Sequence, residues 1–317
     1  MSFSSTAKNE LSRLPIAKEH CALAELSALV RMCGTIQILG ENKFNLKFNT
    51  ENAAIARRIF SIIKLLYDTD VEVMVRRNRQ LKKNNNYLVG ISDIETSKQI
   101  LVDVGFINVN GSNIFHPDYK MPASIIKNRC CKRAYIRGSF LGGGSISNPE
   151  KTYHLEFVTN YEEHGEDLSK IINSFGLNSK IVKRKENYVV YIKEGEQIVD
   201  VLNIIGAHQA LLKLEDIRVL KDIRNNINRL VNCETANLGK TINASVKQIE
   251  NIEIIDKYMG LNKLSNNLRE VAELRLENFD ASLKEIGLML DPPVGKSGIN
   301  HRFRKIEELA DKLKGVK

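Results

Sequence analysis

No apolar run in this 317-residue chain reaches the roughly 20 residues that a membrane-spanning helix needs. The first ten residues, Met1 to Glu10, are polar and hold no apolar signal core, so a reducing cytoplasm is the expected compartment. Cysteine is sparse and odd in number: Cys21, Cys33, Cys130, Cys131 and Cys233. No C-x-x-C pair and no histidine at finger spacing accompanies them, which argues against a zinc finger and leaves buried thiols as the expectation. Cys130 and Cys131 adjoin in a helical stretch, where neighbouring side chains diverge; that disfavours a metal clip, and no metal or cofactor is expected. A phosphate loop is missing too. The glycines between Gly138 and Gly144 precede no G-K-[ST], and they close a helix instead of opening one.

What is present begins with charge. Lys and Arg number 47 against 38 Asp and Glu, a formal net charge of +9, on a globular composition of 43% hydrophobic and 27% charged residues. The length fits two or three domains. The basic residues cluster: Arg76, Arg77, Arg79, Lys82 and Lys83; then Lys127, Arg129, Lys132, Arg133 and Arg137; then Lys180, Lys183, Arg184 and Lys185. Any one cluster could be a solvated face, but three together point to a polyanion, and nucleic acid is the expected partner. Arg76, Arg77, Arg79, Lys82, Lys132, Arg133, Lys183 and Arg184 are the candidate phosphate contacts.

The front of the chain is duplicated. A helical pattern from His20 stops at Gly34, and strand-like segments follow at Thr35–Leu39 and Lys43–Asn49, where Phe44, Leu46 and Phe48 alternate. A helix near Asn52–Tyr67, strands Val71–Arg77 and Tyr87–Ser92, and a helix near Asp93–Val104 complete the unit. The order then repeats: helix Lys127–Gly143, strands Ser145–Ser147 and His154–Thr159, helix Glu162–Phe175, strands Lys180–Lys185 and Tyr188–Lys193, helix Glu196–Ile205. Each αββαββα unit is expected to lay a four-stranded antiparallel sheet under helices, and the two units to pair through their first helices.

The remainder reads as helical throughout: Leu211–Val231, with apolar Leu212, Leu220, Ile223, Ile227 and Leu230, then Ala244–Tyr258, Leu264–Glu277, Ser282–Leu290 and Ser297–Lys314. Ser282-Leu283-Lys284-Glu285 fits a capping box, and Asp291-Pro292-Pro293 ends that helix. Ser297 reads as the N-cap of the next. There Ile299, Phe303, Ile306, Leu309 and Leu313 share one face, while Ser297, Asn300, His301, Arg304 and Lys305 stand opposite, with Arg302 on the flank. An apolar back with short polar groups and arginines near the N-terminus is what a major-groove recognition helix requires. Ser282, Lys284 and Lys296 join these as candidate DNA contacts of a helix-turn-helix over about 281–314.

Helix, glycine, Ser-Ile and two strands, given twice, resembles the LAGLIDADG homing endonucleases. Setting Leu26–Gly34 and Ile136–Gly144 on that nonapeptide puts Cys33 and Gly143 where the metal-binding acids belong. Neither can hold a hard cation, so cleavage is not expected. With the tail Ser297-Gly298-Ile299-Asn300-His301-Arg302, the whole chain resembles the WhiA family of Gram-positive bacterial regulators. The resemblance implies an α+β fold: tandem LAGLIDADG-like αββαββα repeats followed by an all-α helix-turn-helix domain. The expected boundaries are 1–110 and 127–210 for the halves, a connector at 111–126, a linking helix at 211–235 and the DNA-binding domain at 236–317. It implies no enzyme but a cytoplasmic, nucleoid-associated binder of double-stranded DNA in transcription regulation, cell division, sporulation or chromosome segregation. An active or decayed endonuclease, and an interaction module whose front half binds another regulatory protein, remain alternatives. Oligomeric state is not legible.

Overall fold

The alternation of Phe44, Leu46 and Phe48 with polar neighbours becomes β2 (Lys43–Thr50), whose three apolar side chains are buried on one face. β2 lies inside an antiparallel sheet of order β1-β2-β4-β3, with β1 (Gly34–Gly40), β3 (Val71–Arg77) and β4 (Asn85–Ile91). The second sheet repeats that order as β5-β6-β8-β7, built from β5 (Gly144–Ile146), β6 (Leu155–Thr159), β7 (Lys180–Arg184) and β8 (Asn187–Ile192). In β6 the same alternation buries Leu155, Phe157 and Thr159. The computed structural model describes residues 2–16, 18–40, 43–77, 85–107 and 117–314.

Two compact units divide the chain, Met1–Lys221 and Asp222–Lys317. In the first, α2 (Glu19–Cys33) and α5 (Arg129–Gly143) are the paired first helices of the repeats, each 15 residues long. A Cβ on Gly138 would stand 2.5 Å from the Glu25 carbonyl oxygen and 2.9 Å from Ala28 Cβ, so only glycine lets the two backbones approach this closely. The helices α3 (Ala53–Tyr67), α4 (Ile94–Asp103), α6 (Glu162–Asn173) and α7 (Gly195–Ile205) cover the sheets. Side-chain caps start α3 and α4: Asn52 accepts from Ala54 N at 2.8 Å and Asp93 from Thr96 N at 2.8 Å.

Two features differ from the expectation. An N-terminal helix, α1 (Phe3–Leu11), starts on Ser2, whose hydroxyl accepts from Ser5 N. It buries only Ala7 and Leu11, one turn apart, too few to write a visible period. The two helices expected at Leu211–Val231 and Ala244–Tyr258 are one, α8 (His208–Tyr258), because nothing between them breaks a helix. Gly239 alone costs about 1 kcal/mol, less than many intrahelical bonds return. The apolar residues that mark its first part, Leu212, Leu220, Ile223, Ile227 and Leu230, are exposed.

In the second unit, the end of α8 packs with α9 (Asn266–Glu277), α10 (Leu283–Leu288) and α11 (Lys296–Lys314) around Ile252, Ile255, Val271, Ile286, Ile299, Phe303 and Ile306.

Candidate nucleic-acid interface

α10 opens with the capping box that its sequence spells. Glu285 N donates to the Ser282 hydroxyl at 3.3 Å, and Ser282 N donates to the Glu285 carboxylate at 2.7 Å, holding that carboxyl below its usual range. Gly287 then allows the turn to fold back. Val294 N donates to its carbonyl at 2.9 Å, and a Cβ there would fall 2.0 Å from the Val294 oxygen. α11 starts one residue earlier than expected. Ser297 is therefore not the N-cap; it lies in the first turn, and the Gly295 carbonyl accepts from Gly298 and Ile299.

α11 divides into two faces. Ile299, Phe303, Ile306 and Ala310 are buried, whereas Lys296, Ser297, Asn300, His301, Arg304 and Lys305 are exposed. Arg302 is half-buried and donates to the Asn267 carbonyl at 3.3 Å, so it ties α11 to α9. Lys284 is exposed on α10 and, with Ser282 and Lys296, lines a cavity of about 320 Å³ that Lys240, Thr241 and Ser245 of α8 close. Asn300 and Arg304 line a second cavity, of about 130 Å³, with Lys247, Gln248 and Asn251 of α8. Sequence reading missed Lys240 and Lys247, because no local pattern says that α8 runs past α10 and α11. It also missed Arg275, which is 2% exposed and donates to the carbonyls of Asn278, Phe279 and Ala281, with its guanidinium 5.4 Å from the Phe303 ring. Arg275 thereby fixes the turn that leads into α10.

The described basic candidates of the first unit sit on different elements and have different partners. Lys132 donates to Ser174 and Arg133 to the carbonyls of Asn203 and Ile204, so both brace the helical layer. Lys183 and Arg184 are adjacent on β7 and point to opposite faces of the sheet. Arg184 lies 3.8 Å from Glu156, and Lys183 sits over the Tyr188 ring. Arg76 is exposed on edge strand β3; Arg77 ends that strand, its side chain outside the described part, and Arg79 and Lys82 lie outside the described residues.

The ends of α2 and α5 show what stands at the two acid positions. A Cβ on Gly143 would meet Met32 Cε at 2.4 Å and the Val158 oxygen at 2.8 Å, so the space is filled. The Cys33 thiol donates to the Leu29 carbonyl at 3.3 Å, and burial pushes it up to about 12 against the opposing charge of Lys8. Burial in turn lowers Lys8 to about 8, countered by Cys33. An amine, a thiol and a methionine therefore occupy a region where two carboxylates would gather cations. Glu25, the nearest acid on α2, is 1% exposed and clamped by Arg58 and Arg137. Glu150 is exposed in a turn.

The cysteines depart from expectation. Only Cys131 is buried; Cys130 and Cys233 are exposed, and Cys21 and Cys33 are half-buried. Cys130 and Cys131 do not diverge from one another's surroundings, because the start of α2 brings His20 and Cys21 to both. Slight desolvation raises the Cys130 thiol, but hydrogen bonds with Cys21 and Cys131 outweigh it and hold it below its ordinary value. Desolvation, then Cys130, push Cys21 up to about 12.

Two LAGLIDADG-like repeats with neither acid, followed by a helix-turn-helix, define a class of protein, and comparison with known families names it. Family models follow the chain in that order. The WhiA N-terminal LAGLIDADG-like domain matches residues 19–107, the WhiA LAGLIDADG-like domain residues 132–224 and the WhiA C-terminal HTH domain residues 227–310. "Probable cell division protein WhiA" of Alkaliphilus metalliredigens is 58% identical over 315 residues, 99% of each chain, and that of Clostridium botulinum 56% over 314 residues, again 99% of each. Full-length DUF199/WhiA from Thermatoga maritima superposes with a TM-score of 0.60 at 26% identity, over 98% of this chain and 99% of the other. The chain belongs to the WhiA family. Among the described residues, no helix is long and apolar enough to cross a membrane.

Proposed function

We propose that this chain is a non-catalytic, sequence-specific binder of double-stranded DNA whose reading element is α11. The observation that carries the reading is the exposed row Ser297, Asn300, His301, Arg304 and Lys305 on a helix whose back is sealed by Ile299, Phe303 and Ile306. Arg and Asn can each make paired hydrogen bonds to base edges, and a groove-bound helix meets those edges near its N-terminus. Lys284 and Lys296, with Ser282 and the α8 lysine Lys240 around one cavity, supply the phosphate contacts that fix register. Arg302, held by Asn267, acts through the orientation of α11 more than through a phosphate of its own.

Loss of cleavage is supported by chemistry at the α2 and α5 ends. Cys33 and Gly143 offer no carboxylate, Met32 fills the space, and the nearby amine of Lys8 repels a divalent cation. Kinship with relatives named probable cell division proteins supports a place in cell division; transcription regulation in the cytoplasm, on the nucleoid, with roles in sporulation or chromosome segregation, is the further part of the proposal. The region 236–317 would be the DNA-binding domain, after halves at 1–110 and 127–210. The scattered cations of the first unit favour, for that unit, a second regulatory protein as partner over DNA.

The test is a titration of Arg304→Ala on specific and scrambled duplexes, with circular dichroism as a folding control. Specific binding should weaken by about 1–3 kcal/mol and scrambled binding far less. Full specificity in the folded variant would sink the assignment of the reading face. Supercoiled plasmid with magnesium or manganese should stay uncut.

A further inference from the structure

The two repeats bring a pair of equivalent dipeptides together. α2 begins at Glu19, so His20 and Cys21 occupy its second and third positions; α5 begins at Arg129, so Cys130 and Cys131 occupy the same two positions. Twelve residues later in each helix stand Cys33 and Gly143, the equivalent ends, which confirms the register. Because α2 and α5 pack as related partners, each contributes two donors at the same end of the pair, opposite the lost acid positions.

The donor atoms converge. His20 Nδ1 lies 3.1 Å from Cys131 Sγ and 3.5 Å from Cys21 Sγ, and the four ligand atoms of His20, Cys21, Cys130 and Cys131 all lie within 4.8 Å of one another. Bonds of about 2.3 Å to sulfur and about 2.0–2.1 Å to nitrogen put the edges of a zinc tetrahedron at roughly 3.5–3.8 Å. The widest separations therefore need to close by about an ångström. Terminal ligands of an iron–sulfur cluster reside on different irons and stand farther apart than one-ion ligands. The donors are soft and include no carboxylate, which disfavours magnesium and calcium.

We propose that His20, Cys21, Cys130 and Cys131 form a four-coordinate site for a single zinc-class divalent ion that pins the first turns of α2 and α5 together. Three thiolates and a neutral imidazole leave the loaded site with one negative charge. Two helix N-termini face that charge favourably, and neither has a side-chain cap bond of its own: Lys18 and Asn128 make none. All four protein positions are taken, so the ion is structural and leaves no open position for substrate. Cys130 and His20 are exposed, which gives the ion a path in and makes both replaceable without opening the core.

The test uses the full chain purified under reductant without chelator. Metal analysis should find about one zinc per chain that survives gel filtration, and cobalt(II) chloride added to chelator-stripped protein should give tetrahedral visible bands with a thiolate charge-transfer band. Cys130→Ser and His20→Ala should lose both signals while keeping a native circular dichroism spectrum; Cys233→Ser should lose neither. Reduced protein that takes up no zinc and shows no thiolate–cobalt band overturns the proposal. So does metal uptake that persists in Cys130→Ser and His20→Ala, or a Cys21–Cys130 disulfide that accepts no zinc once reduced.

Discussion

Cations tied into the scaffold of the first unit contrast with exposed cations at the helix-turn-helix of the second. In the first, Arg58 and Arg137 hold Glu25, Arg31 donates to the carbonyls of Val104, Gly105 and Lys120, and Arg133 caps the end of α7. Those cations are part of the scaffold. In the second, Lys284, Lys296, Arg304 and Lys305 remain exposed around the ends of two helices. A cluster of basic letters thus says little until the partners of each side chain are known. Burial with carbonyl or carboxylate partners converts a cation from a binding group into a structural one.

The largest test of this contrast is Glu25→Ala, which leaves two guanidiniums without their shared carboxylate. Removing one side of a buried ion pair costs about 3–5 kcal/mol, so calorimetry should show the first unit melting earlier while DNA-binding of the second persists. Specific binding that disappears in step with the melting would mean that the units do not work separately.

A pH titration sharpens the comparison next. Burial, with the Arg31 charge second, holds the His164 ring at about 3 against an ordinary 6.5, between the Tyr135 hydroxyl at 2.9 Å and Thr159 Oγ1 at 3.0 Å. The folded value is below the unfolded one, so the neutral ring's contribution is complete above about pH 6.5 and is lost as pH falls toward 3. The slope approaches about 1.4 kcal/mol per pH unit within that window. Thermal unfolding at pH 7.5 and 5.5 should therefore move the first unit's transition down. The second unit's transition, recorded in the same scans, is the internal reference. His164→Gln should flatten the difference; an unchanged slope would remove His164 as the cause.

Salt dependence distinguishes the two sets of cations at lower energy. Lys284→Ala with Lys296→Ala should reduce the log–log slope of DNA binding by about 0.9 for each phosphate that is no longer neutralised. Lys132→Ala with Arg184→Ala should leave the slope alone, since one side chain braces α6 and the other neighbours Glu156. Equal slopes from the two pairs would erase the contrast. The smallest effect expected is on stability in Arg184→Ala, within about 1 kcal/mol, because the Arg184 side chain is exposed and its contact with Glu156 is long at 3.8 Å.

Much of the fold was legible because its signals are local. The two-residue period of Phe44, Leu46 and Phe48, the capping box at Ser282 and Glu285 and the apolar row of α11 each lie within one element, and the structure keeps each of them. The doubling of the αββαββα pattern also carried the helix pairing, since two equivalent glycine-ended helices have few other ways to bury their faces. α1 was missed for want of a period, and α8 was read as two helices although nothing between them breaks one.

Backbone preference and periodicity act over a few residues, so the order of elements, the repeat, the absence of both acids and the two-faced character of α11 were already written in the chain. What the charged and sulfur-bearing side chains meet was settled only by the packing of whole elements. Packing placed Glu25 between two arginines, Met32 across Gly143, Lys240 beside Lys284 and Lys296, and His20 and Cys21 beside Cys130 and Cys131. These partners lie up to 112 positions apart, and their meeting depends on how helices cross, which no local pattern encodes.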